Sequence, residues 1–232
     1  PQIEDPGRRG VLGARPTAPA GDANGMAGLV SIVQWVREAT GLAHAERVAL
    51  GARDPWHRFD LEPPLRAFGP GAGDFRDYLS GTCRVRRATP AEVAEWLLHC
   101  RYADDAHLLG EADHWLHPTT FELLRSGDCE DFSLWAWRQL LEARYEADFV
   151  VGVRRLPDAA IGRHAWVTFR DGEGEYLLDG VERSLSRMIR PLDDVRAHYE
   201  PQVGVGAAGR RFVFAGLYRE VWGRELRLRP GG

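Results

Sequence analysis

The chain has 232 residues, enough for one well-filled core with tails to spare. Its hydrophobic content of 44% and charged content of 28% are those of a globular domain. A formal net charge of −4 gives no electrostatic drive toward nucleic acid or an acidic membrane surface, and neither is expected as a partner.

All 30 basic residues are arginine, which reads as a coding bias that also enriches Ala and Gly. Three cysteines, Cys83, Cys100 and Cys129, are too few and too odd in number for a disulfide framework. A reducing, cytoplasmic setting is expected, with a Cys83–Cys100 bridge left open.

Residues 1–25 are rich in Pro, Gly and Ala and read as a disordered tail. The apolar run Met26 to Val36 is too short to cross a bilayer and lacks a basic stretch close upstream, so no signal peptide is read. It is expected to open a helix reaching about Ala43. Residues 26–88 form a helical and loop segment of unassigned role. Prolines and glycines punctuate residues 51–82, and Trp56, Phe59, Phe68, Phe75 and Tyr78 there need a surface to pack on.

The main domain is expected over 89–222, with 223–232 a C-terminal tail whose final diglycine follows Pro230 and reads as a plain end. Thr89-Pro90-Ala91-Glu92 is a capping box with proline at the first helical position, predicting a helix from Pro90 to about Arg101. Val93, Trp96, Leu97 and Cys100 would form its buried stripe. A short helix over Thr119 to Arg125 leads to Ser126-Gly-Asp-Cys-Glu-Asp-Phe132. A helix should follow from Cys129 to about Tyr145, with Trp135 on its polar side and therefore covered by another element.

Beyond Tyr145 the pattern changes to strand: 149–153, 163–170, 175–181 and 211–218, with a short helix over 191–199. Helices first and an antiparallel sheet second make an α+β domain.

Cys129 falls at a helix N-terminus, where unpaired N–H groups and the helix dipole favour a thiolate, although Glu130 and Asp131 oppose it. His164 and Asp179 lie on the two strands of one hairpin. A two-residue turn at Asp171-Gly172 would set them directly opposite. A four-residue loop would leave them diagonal on one face, and a three-residue loop would separate them. The residues therefore suggest Cys129 as nucleophile, His164 as base and Asp179 as its orienter. Trp115 and His117 are candidate upstream donors to an oxyanion.

Gly127-Asp-Cys129-Glu-Asp131-Phe132, His164-Ala-Trp-Val167 and Asp179-Gly180, in this order, resemble the transglutaminase-like superfamily. The nearest likeness is to bacterial transglutaminase-like cysteine proteinases of the LapG type. Trp115-x-x-Pro118 resembles an upstream element of those proteinases, with its acidic residue displaced to Glu122. The resemblance covers roughly residues 110–182. It implies a papain-like core, a catalytic helix packed on an antiparallel sheet, carrying thiol acyl transfer on a protein or peptide amide. Peptide hydrolysis is the leading reading. Amine transfer to, or deamidation of, glutamine side chains is the alternative. No cofactor is required by such chemistry, but some members bind calcium through acidic residues flanking the cysteine, here Asp128, Glu130 and Asp131.

Two readings compete. A metal site could draw on His107, His114 and His117 with Asp104 or Asp105, although this spacing is no standard zinc signature. A non-catalytic module on the same fold would use the cleft to hold a peptide.

Overall fold

The computed structural model describes residues 53–155, 162–172 and 174–219. The tails read over 1–25 and 223–232 and the helix expected from Met26 lie outside these residues.

One sheet of seven strands organises the domain: β1 (Arg58–Phe59), β4 (Glu146–Arg154), β5 (Gly162–Asp171), β6 (Gly174–Leu178), β7 (Ile189–Pro191), β8 (Tyr199–Val205) and β9 (Arg211–Phe214). Their order is β1-β9-β8-β4-β5-β6-β7, and every pairing is antiparallel. The two-residue strands β2 (Arg101–Tyr102) and β3 (Ser126–Gly127) form a separate parallel pair. The fold is α+β, as expected.

Three helices build the second layer: α1 (Pro90–Leu98), α2 (Pro118–Leu124) and α3 (Cys129–Glu142). The expected capping box starts α1, with Glu92 N–H donating to Thr89 Oγ1 at 3.3 Å and Thr89 N–H to Glu92 Oε2 at 3.2 Å. Helix α3 lies on the sheet, where Leu134, Trp137 and Leu140 share a core with Phe149, Val151, Ala165 and Val167. The Trp137 indole donates to the Ala147 carbonyl at 3.1 Å. Its other side is covered by α1 and α2. Trp135 stacks on Trp96 with ring centroids 3.9 Å apart and donates to Glu122, which is the cover its position called for. Cys100 is in this core, 5% exposed, and all three cysteines are free, so the bridge left open is not formed.

The described part of the N-terminal segment belongs to the same core. Ala67, Phe68, Phe75, Tyr78 and Cys83 are buried within it, and β1 closes one sheet edge. Arg138, buried on α3, donates to the carbonyls of Tyr78, Ser80 and Gly81, pinning this segment to the Cys129 helix.

Two of the expected elements are markedly shorter than read from the sequence. The helix expected over 191–199 is only Leu192–Val195, and the strand β8 begins at Tyr199. Pro201 and Gly204 hide that strand in the sequence. Proline is tolerated in it because the ladder with β4 slips between Val151 and Gly152, leaving Gln202 as the bulged residue. The strand expected over 211–218 ends at Phe214, and 215–219 are helical. There the Ala215 and Gly216 N–H groups bond the carbonyls of His57 and Pro55 instead of a ladder.

Candidate active site

The Gly-Asp-Cys-Glu-Asp stretch folds as it does because of one close approach. A Cβ on Gly127 would lie 2.2 Å from Asp131 Oδ2, so only glycine lets the Asp131 carboxyl reach back. There it accepts from the N–H of Asp128 at 3.2 Å and from that of Leu116 at 2.7 Å. Asp128 is the N-cap of α3, and Cys129 is the first helical residue.

The half-buried Cys129 thiol donates to Glu130 Oε2 at 3.1 Å. It also lies against the N–H of Ala165, one residue from His164. Burial, then the Glu130 and Asp128 carboxylates, push the thiol well above its ordinary range, against the direction a helix N-terminus favours. Among the described residues Cys129 makes its side-chain hydrogen bond to Glu130, not to the imidazole.

His164 is on β5 and Asp179 just past the end of β6. The hairpin pairs Asp171 with Gly174 and Arg170 with Glu175, the register of the diagonal arrangement. His164 Nε2 meets Asp179 Oδ2 at 3.0 Å. Gly152 is the residue paired with His164 on β4, and a Cβ there would lie 2.2 Å from the Glu200 carbonyl and 2.7 Å from Trp166.

Asp179 is fully buried and has more partners than the sequence suggested. The Tyr199 hydroxyl donates to Oδ2 at 2.7 Å, Arg154 Nη1 lies 3.0 Å from Oδ2, and the Val181 N–H donates to Oδ1 at 3.3 Å. Burial alone would raise its pKa. The charge and hydrogen bond of His164, the Arg154 guanidinium and the Tyr199 hydroxyl outweigh burial and hold it at about 2. Arg154 in turn pairs with Glu182, which also pairs with Arg187 at 2.9 Å.

On the Cys129 side the charges run the other way. Asp105, Asp113, Asp128, Glu130 and Asp131 crowd together, and subsets of them bring one oxygen each within 4.8 Å of one another. Burial first, then mutual repulsion, raises Asp128 to about 9 and Asp131 to about 8; burial raises Glu130 to about 7. Asp105 Oδ1 and Asp128 Oδ1 are buried without a hydrogen-bond partner. Asp105 and Asp113 were not foreseen as members of this group, although Asp105 was weighed in a histidine site.

The histidines are engaged elsewhere. His114 Nδ1 lies 3.0 Å from Glu111, His107 is 3.8 Å from Asp104, and no histidine joins a metal-capable group among the described residues. His117 caps α2, with Nδ1 2.7 Å from Thr119 Oγ1 and Nε2 2.9 Å from the Asp77 carbonyl. The Trp115 indole donates to Asp113 Oδ1 at 3.2 Å. Neither upstream donor expected for an oxyanion hydrogen-bonds to Cys129.

A cavity of about 380 Å³ opens beside His164, walled by Tyr102, Arg154, Gly162, Arg163, Val181 and Arg183. The phenol of Tyr102, in this wall, is raised by burial and by the charges of Cys129 and Asp128.

No family model and no curated protein matches the chain. Among solved structures it is similar to Legionella pneumophila LapG in an EGTA-treated form, at 18% identity, covering 75% of this chain and 86% of that one, with TM-score 0.42. The calcium-bound form of the same protein is similar at 16% identity, over 79% and 99%, with TM-score 0.42. The crystal structure of a TGase is similar at 14% identity, over 67% of this chain and 37% of that one, with TM-score 0.31. No described helix is long and apolar enough to cross a membrane.

Proposed function

We propose that the chain is a thiol-dependent hydrolase of peptide or amide bonds, acting through a thioester on Cys129. The observation that carries this reading is the neighbourhood of three groups. A helix-tip cysteine lies against the Ala165 N–H, the adjacent residue is His164, and His164 is held at 3.0 Å by an Asp179 kept anionic.

In this reading His164 Nδ1, the ring nitrogen not bonded to Asp179, takes the Cys129 proton. The sulfur attacks the substrate carbonyl carbon. The C–N bond breaks as the imidazolium returns its proton to the leaving amine. Water, deprotonated by the same imidazole, then cleaves the thioester and frees the carboxylic acid. Asp179 fixes the tautomer and stabilises the imidazolium, and the Cys129 backbone N–H holds the oxyanion. Before attack the thiol turns from Glu130 toward the imidazole. Hydrolysis is favoured over amine transfer by Arg163 and Arg183 in the wall of the cavity beside His164, which repel a cationic lysine acceptor and do not repel water.

The acidic cluster fits a hard divalent cation such as calcium. All its donors except the thiol are carboxylate oxygens, and two of the carboxylates carry buried, unpartnered oxygens. Asp105, Asp113, Asp128, Glu130 and Asp131 would hold it. Bound there, it would supply positive charge beside a thiol that its neighbours otherwise disfavour as an anion.

The test is incubation of wild type and Cys129→Ala with a proteome extract, with and without a labelled primary amine. New peptide termini that depend on Cys129 are expected. Amine incorporation at glutamine without new termini would replace hydrolysis with cross-linking, and neither signal from folded protein would move the reading to a peptide-binding module.

A further inference from the structure

The cavity beside His164 is lined by arginine without a lining carboxylate among the described residues. A larger cavity of about 610 Å³ elsewhere on the sheet is also lined by arginines. There each is matched to a carboxylate: Arg58 with Asp148 at 3.4 Å, Arg170 with Glu175 at 2.5 Å, and Arg196 with Asp54 at 3.1 Å. The cavity beside His164 has three arginines and, among the described residues, no acidic residue in its wall.

Its arginines are held in different ways. Arg154 is neutralised from behind by Asp179 and Glu182. Arg163 donates to the Ala67 carbonyl. Arg183 donates to the Cys100 carbonyl at 3.1 Å and lies over the Phe132 ring, 5.7 Å from its centroid. A carbonyl and a ring face orient a guanidinium without cancelling its charge. The Arg183 fork is thus fixed in place, exposed, and charged. Tyr102, 44% exposed, forms part of the same wall.

We infer that this cavity is a substrate subsite for a carboxylate, so that the enzyme prefers polypeptides with an acidic group within a few residues of the scissile bond. The inference rests on the hydrolase reading for its substrate being a polypeptide. Guanidinium recognises carboxylate through two parallel charge-assisted hydrogen bonds, and the fixed position of Arg183 lowers the ordering cost of that contact. The carboxylate can come from an Asp or Glu side chain or from a free chain terminus.

Two measurements separate this inference from the reading beneath it. The first is cleavage of a proteome-derived peptide library by wild type and Arg183→Gln, scored for residues near the cut. The second is binding to Cys129→Ala, by fluorescence anisotropy, of terminally blocked octapeptides with Glu or Gln at one internal position, and of the Gln series with a free C-terminus. Acidic residues enriched at a fixed position, or tighter binding of the Glu series, with about a tenfold loss in Arg183→Gln, is the expected result for a side chain. Tighter binding of the free-terminus series with the same loss assigns the site to a terminal carboxylate. Cys129-dependent cleavage indifferent to charge would overturn the subsite and leave the hydrolase. Arg183-dependent binding of acidic peptides without turnover by wild type would overturn the hydrolase and keep the subsite. Equal binding, or no binding, of all peptides, without acidic enrichment, would also overturn the subsite.

Discussion

The two halves of the candidate site are built on opposite principles. On the His164 side the buried carboxylate is matched. Asp179 has an imidazole, a guanidinium, a phenol and a backbone N–H around it, and its pKa falls to about 2. On the Cys129 side carboxylates are matched with one another. Asp128, Glu130 and Asp131 rise to about 9, 7 and 8, and two buried oxygens in the cluster have no partner. The first half is complete as folded. The second is completed only by added positive charge, from protons or from a cation. A thiol placed between them is governed by the unfinished half, which is why helix-tip placement alone misjudges its pKa.

The sharpest way to break this comparison is to remove the reacting groups. Cys129→Ala should abolish turnover, and His164→Ala should lower kcat by roughly 10³-fold, the scale of a lost general base, in steady-state assays on a cleaved peptide. If His164→Ala retains wild-type kcat, the matched half is only structural.

Asp179→Asn should lower kcat by roughly 10²-fold or more through loss of tautomer control. It should also remove an acid-sensitive share of stability. The folded pKa is depressed below the ordinary 3.8. Its stabilisation is therefore present above about pH 4 and lost as pH falls through about 2. At about 1.4 kcal/mol per pKa unit it is worth about 2 kcal/mol. Urea unfolding of wild type and variant should differ above that window and converge below it. A constant difference would assign the loss to packing.

Calcium tests the unfinished half. At a hundredfold excess over its dissociation constant a bound ion adds about 2.7 kcal/mol, or roughly 5–10 °C in Tm for a chain of this size. The rise should vanish in Asp105→Asn and survive in His107→Ala. An unchanged Tm would leave the cluster to protons. The smallest effect is expected from Tyr199→Phe. It removes one donor to Asp179 while Arg154 and His164 remain, so kcat should fall less than about tenfold.

How much of this was legible in the sequence follows range of interaction. Thr89 and Glu92, the helix from Cys129 and the hairpin parity of His164 and Asp179 are local patterns, and all appear as read. That Trp135 would need a cover was also legible, because a tryptophan on a polar helix side must pack somewhere. Tyr199 and Arg154 were not legible as partners of Asp179. Tyr199 opens β8, a strand disguised by Pro201, Gly204 and a bulge, and Arg154 reaches Asp179 from the end of another strand. Asp105, opening a one-turn helix, and Asp113, in a loop, join the cysteine cluster from the segment between α1 and α2, with no periodicity to aim them.

The central claim is that Cys129 is a nucleophile served by His164. Its most direct test is alkylation by limiting iodoacetamide, read by peptide mass spectrometry on wild type and His164→Ala in the presence of calcium. Cys83 and Cys100 are buried, and burial pushes their thiols to about 11 and 12. Cys129 is half-buried, and in this account calcium offsets the carboxylates that raise its thiol, so it should be labelled first, and its rate should fall in His164→Ala while the other two stay unchanged. Labelling of Cys83 or Cys100 ahead of Cys129, or a Cys129 rate indifferent to His164, would contradict it.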